Sequence, residues 1–147
     1  APVSIVFATS NRSAAIRIPG YVKDPIDKRF EYRAGDATAN PYLMFAAMLM
    51  AGLDGIKRRL DPKKMGFGPF DGNLYELPEA QRKAIGALPK DLGEALEALR
   101  EDHEFLLADN VFPVELIETW IKRKTEEELV PVAVRPHPYE FKLSFGC

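Results

Sequence analysis

The chain has 147 residues, 46% of them hydrophobic and 29% charged, a length and balance suited to one domain with a core of its own. Its net charge of −2, from 20 basic and 22 acidic residues, supplies no bulk attraction to nucleic acid or to a membrane surface, and neither partner is expected. A single cysteine, Cys147, excludes a disulfide framework within the chain and favours a reducing, cytoplasmic setting.

The opening Ala1-Pro2-Val3-Ser4-Ile5-Val6-Phe7 has neither Met nor the basic start of a signal peptide, and it reads as mid-chain, a piece of a longer protein. The apolar run 4–8 predicts a buried strand. Thr9 to Ser13 is polar and loop-like. Ala15-Ile16-Arg17-Ile18 alternates, which places Ile16 and Ile18 on an apolar face and Arg17 opposite. Pro19-Gly20 then turns the chain, and a loop through Pro25 leads to Arg29-Phe30-Glu31-Tyr32-Arg33. That stretch alternates again: Phe30 and Tyr32 are expected inward, with Arg29, Glu31 and Arg33 in a row on the other face. A cation–anion–cation row is either a solvated salt-bridge ladder or one wall of a polar site, and geometry alone favours the ladder.

Asn40-Pro41 is a strong helix start, because Asn caps well and Pro suits the first helical position. The helix is expected to run over 40–60, its apolar first half packed in the core with Met44, Met48 and Met50 as filler. The run 42–53 is shorter than the roughly 18–20 residues a bilayer span needs. Residues 61–78, rich in Gly and Pro, predict a loop, and a mostly helical region covers 79–129. Within it 78–84 predicts a short helix, Asp91 with Glu94 resembles a capping box ahead of an amphipathic helix, and Pro113 opens another whose apolar face is Leu116, Ile117, Trp120 and Ile121. The Glu126-Glu127-Glu128 run is expected to face solvent. Three prolines predict an extended stretch over 130–138, continuing in an aromatic tail to 147 that docks on its own domain or on a partner subunit. The fold class is α+β: short antiparallel strands at the N-terminal end on a long core helix, then a helical C-terminal half.

Arginine stays charged and grips phosphate or carboxylate with a planar fork. Arg12, Arg17, Arg29 and Arg33, gathered on neighbouring strands and a loop, suit an anion such as a nucleotide polyphosphate. Glu31 among them is a hard oxygen ligand for Mg²⁺ or Mn²⁺, but a full site needs more oxygens than it supplies. His103 and His137 are expected to be structural. On these residues alone the reading stops at half of an anion- and metal-binding site.

At these same residues the sequence resembles the C-terminal catalytic portion of type I (bacterial) glutamine synthetases. Residues 11–19 (NRSAAIRIP) resemble the family's NRSAxIRIP strand, 29–33 its R-x-E-x-R strand, and 39–43 with 51–56 its ANPYL…AGLDGI helix. Asn73-Leu74-Tyr75-Glu76-Leu77-Pro78 resembles the adenylylation loop, and His137-Pro138-Tyr139-Glu140-Phe141 the HPxEF tail. The resemblance implies that Glu31 is a metal ligand near the ATP phosphates, that Arg33 holds the substrate glutamate, and that Arg12, Arg17 and Arg29 contact ATP phosphates and the γ-glutamyl phosphate, Arg12 and Arg33 taking part in catalysis. It implies that Tyr75 is the tyrosine an adenylyltransferase modifies. The implied reaction joins ammonia to glutamate with ATP and Mg²⁺ or Mn²⁺ in a homo-oligomeric dodecamer, the remaining metal ligands lying upstream, so the chain alone is expected to be inactive. A γ-glutamyl-amine or polyamine ligase, and a non-catalytic assembly module, are the rival readings.

Overall fold

A three-stranded sheet, β1 (Ser4–Thr9), β2 (Ala14–Ile18) and β3 (Glu31–Tyr32), opens the chain, with β2 in the middle. The computed structural model describes residues 3–70, 72, 76 and 85–146. The predicted helix at 78–84, most of the loop around Tyr75, and Cys147 lie outside them. The chain divides into two compact units, Ala1–Lys90 and Asp91–Cys147.

The α+β class is as expected, but the sheet is mixed. β2 pairs with β3 antiparallel, Ile16 opposite Tyr32 and Arg17 opposite Glu31, whereas β1 pairs with β2 parallel, from Ser4–Ala14 to Thr9–Ile18, with a shift in register after Ser4. A return as short as Ser10–Ser13 ordinarily makes a hairpin, because parallel neighbours usually need a long crossover. Here the chain reverses through Ser10 at φ 58° and runs back to start β2 beside Ser4. Asn11 orders the return: its Oδ1 accepts from Ser13 N–H at 2.9 Å and from the Ser13 hydroxyl at 2.6 Å, while its amide donates to the Phe70 and Gly72 carbonyls.

The small core of this unit is Val6, Ala8 and Ala14, with Phe70 and Ile85 against it. Alternation along β1 brings Val6 and Ala8 to one face. The outer edge of β1 is covered by later chain. Ile5 N–H donates to the Gly86 carbonyl and Phe7 N–H to the Phe67 carbonyl, both at 2.8 Å, and Phe70 N–H donates to the Phe7 carbonyl at 3.2 Å. An edge paired in this way is closed to further strands.

Helix α1 (Pro41–Lys57) starts as read, Asn40 accepting from Tyr42 and Leu43 N–H with Pro41 in the first turn, and ends three residues short of the expected 60. Its expected burial is not found. Met50 is buried, but Phe45 and Leu49 are 62% and 63% exposed, and Tyr42, Leu53 and Ile56 also face outward. Of the three methionines only Met50 is core filling, Met44 being half-buried and Met48 at the exposed margin. Met44 ties the helix to the chain leaving β3, since a Cβ on Gly35 would come within 3.0 Å of its sulfur.

In the second unit, Asp91 caps α2 (Leu92–Glu101) by accepting from Glu94 N–H at 2.9 Å. A 3₁₀ segment, Glu104–Asn110, kinks at Ala108 and Asp109 and leads to α3 (Val114–Lys124). On α3, Ile117 and Ile121 are buried, each worth about 1.5–3 kcal/mol. His103 Nδ1–H donates to the Leu99 carbonyl at 3.0 Å and closes α2.

Of the expected extended stretch 130–138, residues 130–133 are instead helical, while 134–137 are not. A π-helical turn, Thr125–Leu129, runs into α4 (Val130–Ala133). The wide turn sits directly ahead of Pro131, which lacks an N–H and whose ring would meet the Glu127 carbonyl in an α ladder. Glu126, Glu127 and Glu128 are exposed as expected, with Arg123 donating to Glu127 at 2.8 Å and Lys124 paired with Glu128. The tail is also helical, as α5 (Pro138–Ser144), with His137 and Glu140 forming a reciprocal capping box. Tyr139, Phe141, Leu143 and Phe145 are exposed.

Candidate functional site

The β2–β3 register brings the predicted charged residues to one face. With Arg17 opposite Glu31, and Arg33 N–H donating to the Ala15 carbonyl at 2.8 Å, the odd-numbered residues of both strands share that face. Arg17 Nη1 donates to Glu31 Oε2 at 2.8 Å, a pair in which the Arg17 side chain is only 14% exposed. The opposite, apolar face was expected inward, yet Phe30 is 67% and Tyr32 43% exposed. The half-buried side of this hairpin is therefore the charged one.

Arg29 lies ahead of β3 and is exposed. Its Nη2 donates to the Tyr21 hydroxyl at 2.9 Å, and its guanidinium lies 5.8 Å from the centre of the Tyr21 ring. Arg17 approaches the same ring at 6.0 Å. Arg33 is half-buried and, like Arg17 and Arg29, near enough to act electrostatically on Glu31. Arg12 is exposed on the return loop that Asn11 orders, outside the salt-bridged group. Tyr75 lies outside the described residues.

The face is net cationic, because one carboxylate stands among three arginines. Arg17's hydrogen bond holds the Glu31 carboxyl below its ordinary value near 4.5. Partial desolvation opposes this, and the charges of Arg17, Arg29 and Arg33 reinforce it. A depressed carboxyl keeps its ion pair intact above the ordinary value and loses it only as pH falls through the lower, folded one. A carbon-detected NMR titration of Glu31 is accordingly expected to show a midpoint below 4.5, moving upward in Arg17→Ala; a midpoint at or above 4.5 in the unaltered protein contradicts the pairing.

Two donors on this face are left over. The Nε–H groups of Arg17 and Arg33 are buried and have no acceptor among the described residues. A buried, unmatched guanidinium N–H is costly, and an anion on this face meets the Nη groups rather than these enclosed Nε–H groups. Phosphate and carboxylate oxygens fit that donor set. A divalent cation finds one donor only: Glu31 Oε1 accepts no hydrogen bond among the described residues, and these contain no cluster of three His, Cys, Asp or Glu side chains.

Sequence reasoning missed two residues here. Asn11 carried a local signal, Asn two before Ser, the pattern of a side-chain-closed turn. Tyr21 carried none, because its place between Arg17 and Arg29 depends on how the 19–30 connection folds back.

Residues 1–144 match the family model described as glutamine synthetase, catalytic domain. The glutamine synthetase of Mycolicibacterium smegmatis is 48% identical over 145 residues, covering 99% of this chain and 30% of that protein. Among solved structures, Plasmodium falciparum glutamine synthetase superposes with a TM-score of 0.77 at 26% identity, covering 97% of this chain and 34% of its own. A GmaS–ADP complex gives a TM-score of 0.77 at 30% identity, covering 100% of this chain and 30% of its own. The chain thus spans about 30% of the length of the curated relative, and it belongs to the glutamine synthetase family, within the catalytic domain.

Proposed function

We propose that the chain is the C-terminal part of the catalytic domain of an enzyme that joins ammonia to L-glutamate, with ATP, to give L-glutamine. The observation that carries this is the gathering of Arg17, Arg29 and Arg33 around Glu31 on one cationic face. In the reaction a γ-carboxylate oxygen of glutamate attacks the terminal phosphorus of ATP, releasing ADP, and ammonia then displaces phosphate from the γ-glutamyl phosphate. Negative charge builds on oxygen in both steps, and fixed cations stabilise it.

Arg12, Arg17 and Arg29 are assigned to the ATP phosphates and the γ-glutamyl phosphate. Arg33 is assigned to the glutamate. The solved GmaS–ADP complex supports a nucleotide on the corresponding scaffold. Glu31 would contribute Oε1 to a bound Mg²⁺ or Mn²⁺ while Arg17 keeps Oε2. Such an ion supplies charge neutralisation at the phosphates. Glu31 provides one of about six oxygens that Mg²⁺ takes, so the remaining ligands are assigned to the part of the enzyme outside these residues. Relatives named glutamine synthetase support ammonia, rather than a larger amine, as the nucleophile. On the same reading the working enzyme is a cytoplasmic dodecamer, and Tyr75 is its adenylylation site.

The test compares the 147-residue chain with the full-length enzyme that contains it, measuring ATP-dependent glutamine formation and γ-glutamyl transfer. Turnover is expected from the full-length enzyme and none from the chain alone. Turnover by the chain, or a full-length enzyme that prefers a larger amine, overturns the assignment.

A further inference from the structure

The geometry points to Tyr21 as a positioning residue that holds Arg29 and Arg17 in place for the nucleotide phosphates. This rests on the phosphate-binding reading of those arginines. Tyr21 stands on the connection between β2 and β3, more than half exposed, and its ring lies within 6.0 Å of both guanidinium centres.

The two arginines differ in what else restrains them. Arg17 is half-buried and fixed on its other side by Glu31 at 2.8 Å. Arg29 is exposed, and among the described residues its guanidinium has, apart from the Tyr21 hydroxyl at 2.9 Å, only a 3.4 Å hydrogen bond to the Asp27 carbonyl. A long cationic side chain left in solvent loses rotamer freedom when it clamps an anion, and that loss weakens binding. Tyr21 removes much of the loss beforehand by holding the guanidinium through a hydrogen bond and through the ring. The electron-rich ring also lets two cations sit side by side with less repulsion. Neither interaction uses a donor that the phosphate requires, since Arg29 keeps further N–H groups and Arg17 engages Glu31 through Nη1 alone.

The experiment uses the full-length enzyme with Tyr21→Ala, Tyr21→Phe, Arg29→Ala and the Tyr21→Ala, Arg29→Ala pair, measuring kcat and the KM for ATP and for glutamate. Tyr21→Ala is expected to raise the KM for ATP about fivefold, with kcat and the KM for glutamate within about twofold. Tyr21→Phe keeps the ring and should cost about twofold in the same KM; it stands in for Tyr21→Ala if that variant does not fold. In the Arg29→Ala background Tyr21→Ala should add less than it does alone, because much of what it holds has gone. If Arg29→Ala raises the KM for ATP while both Tyr21 variants leave it unchanged, the positioning role is wrong. If Arg29→Ala also leaves it unchanged, the phosphate assignment itself fails and the Tyr21 role with it.

Discussion

Glu31→Ala in the full-length enzyme is expected to lower kcat by about 10²–10³-fold and to raise the concentration of Mg²⁺ needed for half-maximal rate. Two losses combine. The carboxylate oxygen assigned to the metal disappears, and Arg17 loses the 2.8 Å partner that fixes its guanidinium, leaving a half-buried cation unpaired. Glu31→Gln separates them. The amide oxygen can still accept from Arg17, so the KM for ATP should stay near normal, while the neutral group is a poor metal ligand and kcat should stay low. The expected pattern is therefore low kcat in both variants, with a raised KM for ATP in Glu31→Ala alone. Near-normal kcat in Glu31→Gln would remove the metal role and leave Glu31 as a partner of Arg17 only.

The parts of this fold that local chemistry decides were legible. Asn40, Asp91 and Pro113 each mark a helix start because a capping oxygen or a preset φ acts within one turn. The alternation of Arg29, Glu31 and Arg33 correctly foretold one charged face, because strand residues alternate wherever the strand lies. What the face is paired with was not legible. The parallel pairing of β1 with β2 is accompanied by Asn11 bonds from the return loop to the Phe70 and Gly72 carbonyls, contacts between residues far apart in sequence. The apolar surround of α1 reports that the helix needs cover, but not which chain supplies it; within these residues Phe45 and Leu49 have none. The same holds for Phe30 and Tyr32, which alternation alone places inward. Pro131, one of three prolines that predict an extended stretch, sits in a helix because the π turn just ahead of it makes room for its ring, a shift of backbone register that residue preferences do not encode.

Gly68→Ala is expected to loosen the edge of β1 that bears on the Arg12 loop. Gly68 has φ 132°, a region that side chains rarely tolerate, and a Cβ there would lie 2.3 Å from the Phe7 carbonyl oxygen. Neither atom can swing aside, because Phe7 is tied to the 67–70 segment twice, by its N–H to Phe67 and by its carbonyl to Phe70. The backbone conformation alone costs an alanine about 1–3 kcal/mol, and the clash adds to it. The segment can relieve it only by leaving β1, which would also withdraw the Phe70 carbonyl from Asn11. Hydrogen exchange in the full-length enzyme reads this directly. A loss of about 2 kcal/mol speeds exchange at the Phe7 and Phe70 amides about thirtyfold. Gly72→Ala, where a Cβ meets nothing within 4 Å among the described residues, should leave those amides close to their normal rates. If Gly68→Ala protects them as well as glycine does, then the 67–70 segment does not pack on β1 in this way, and the anchoring of the Arg12 loop through Asn11 falls with it.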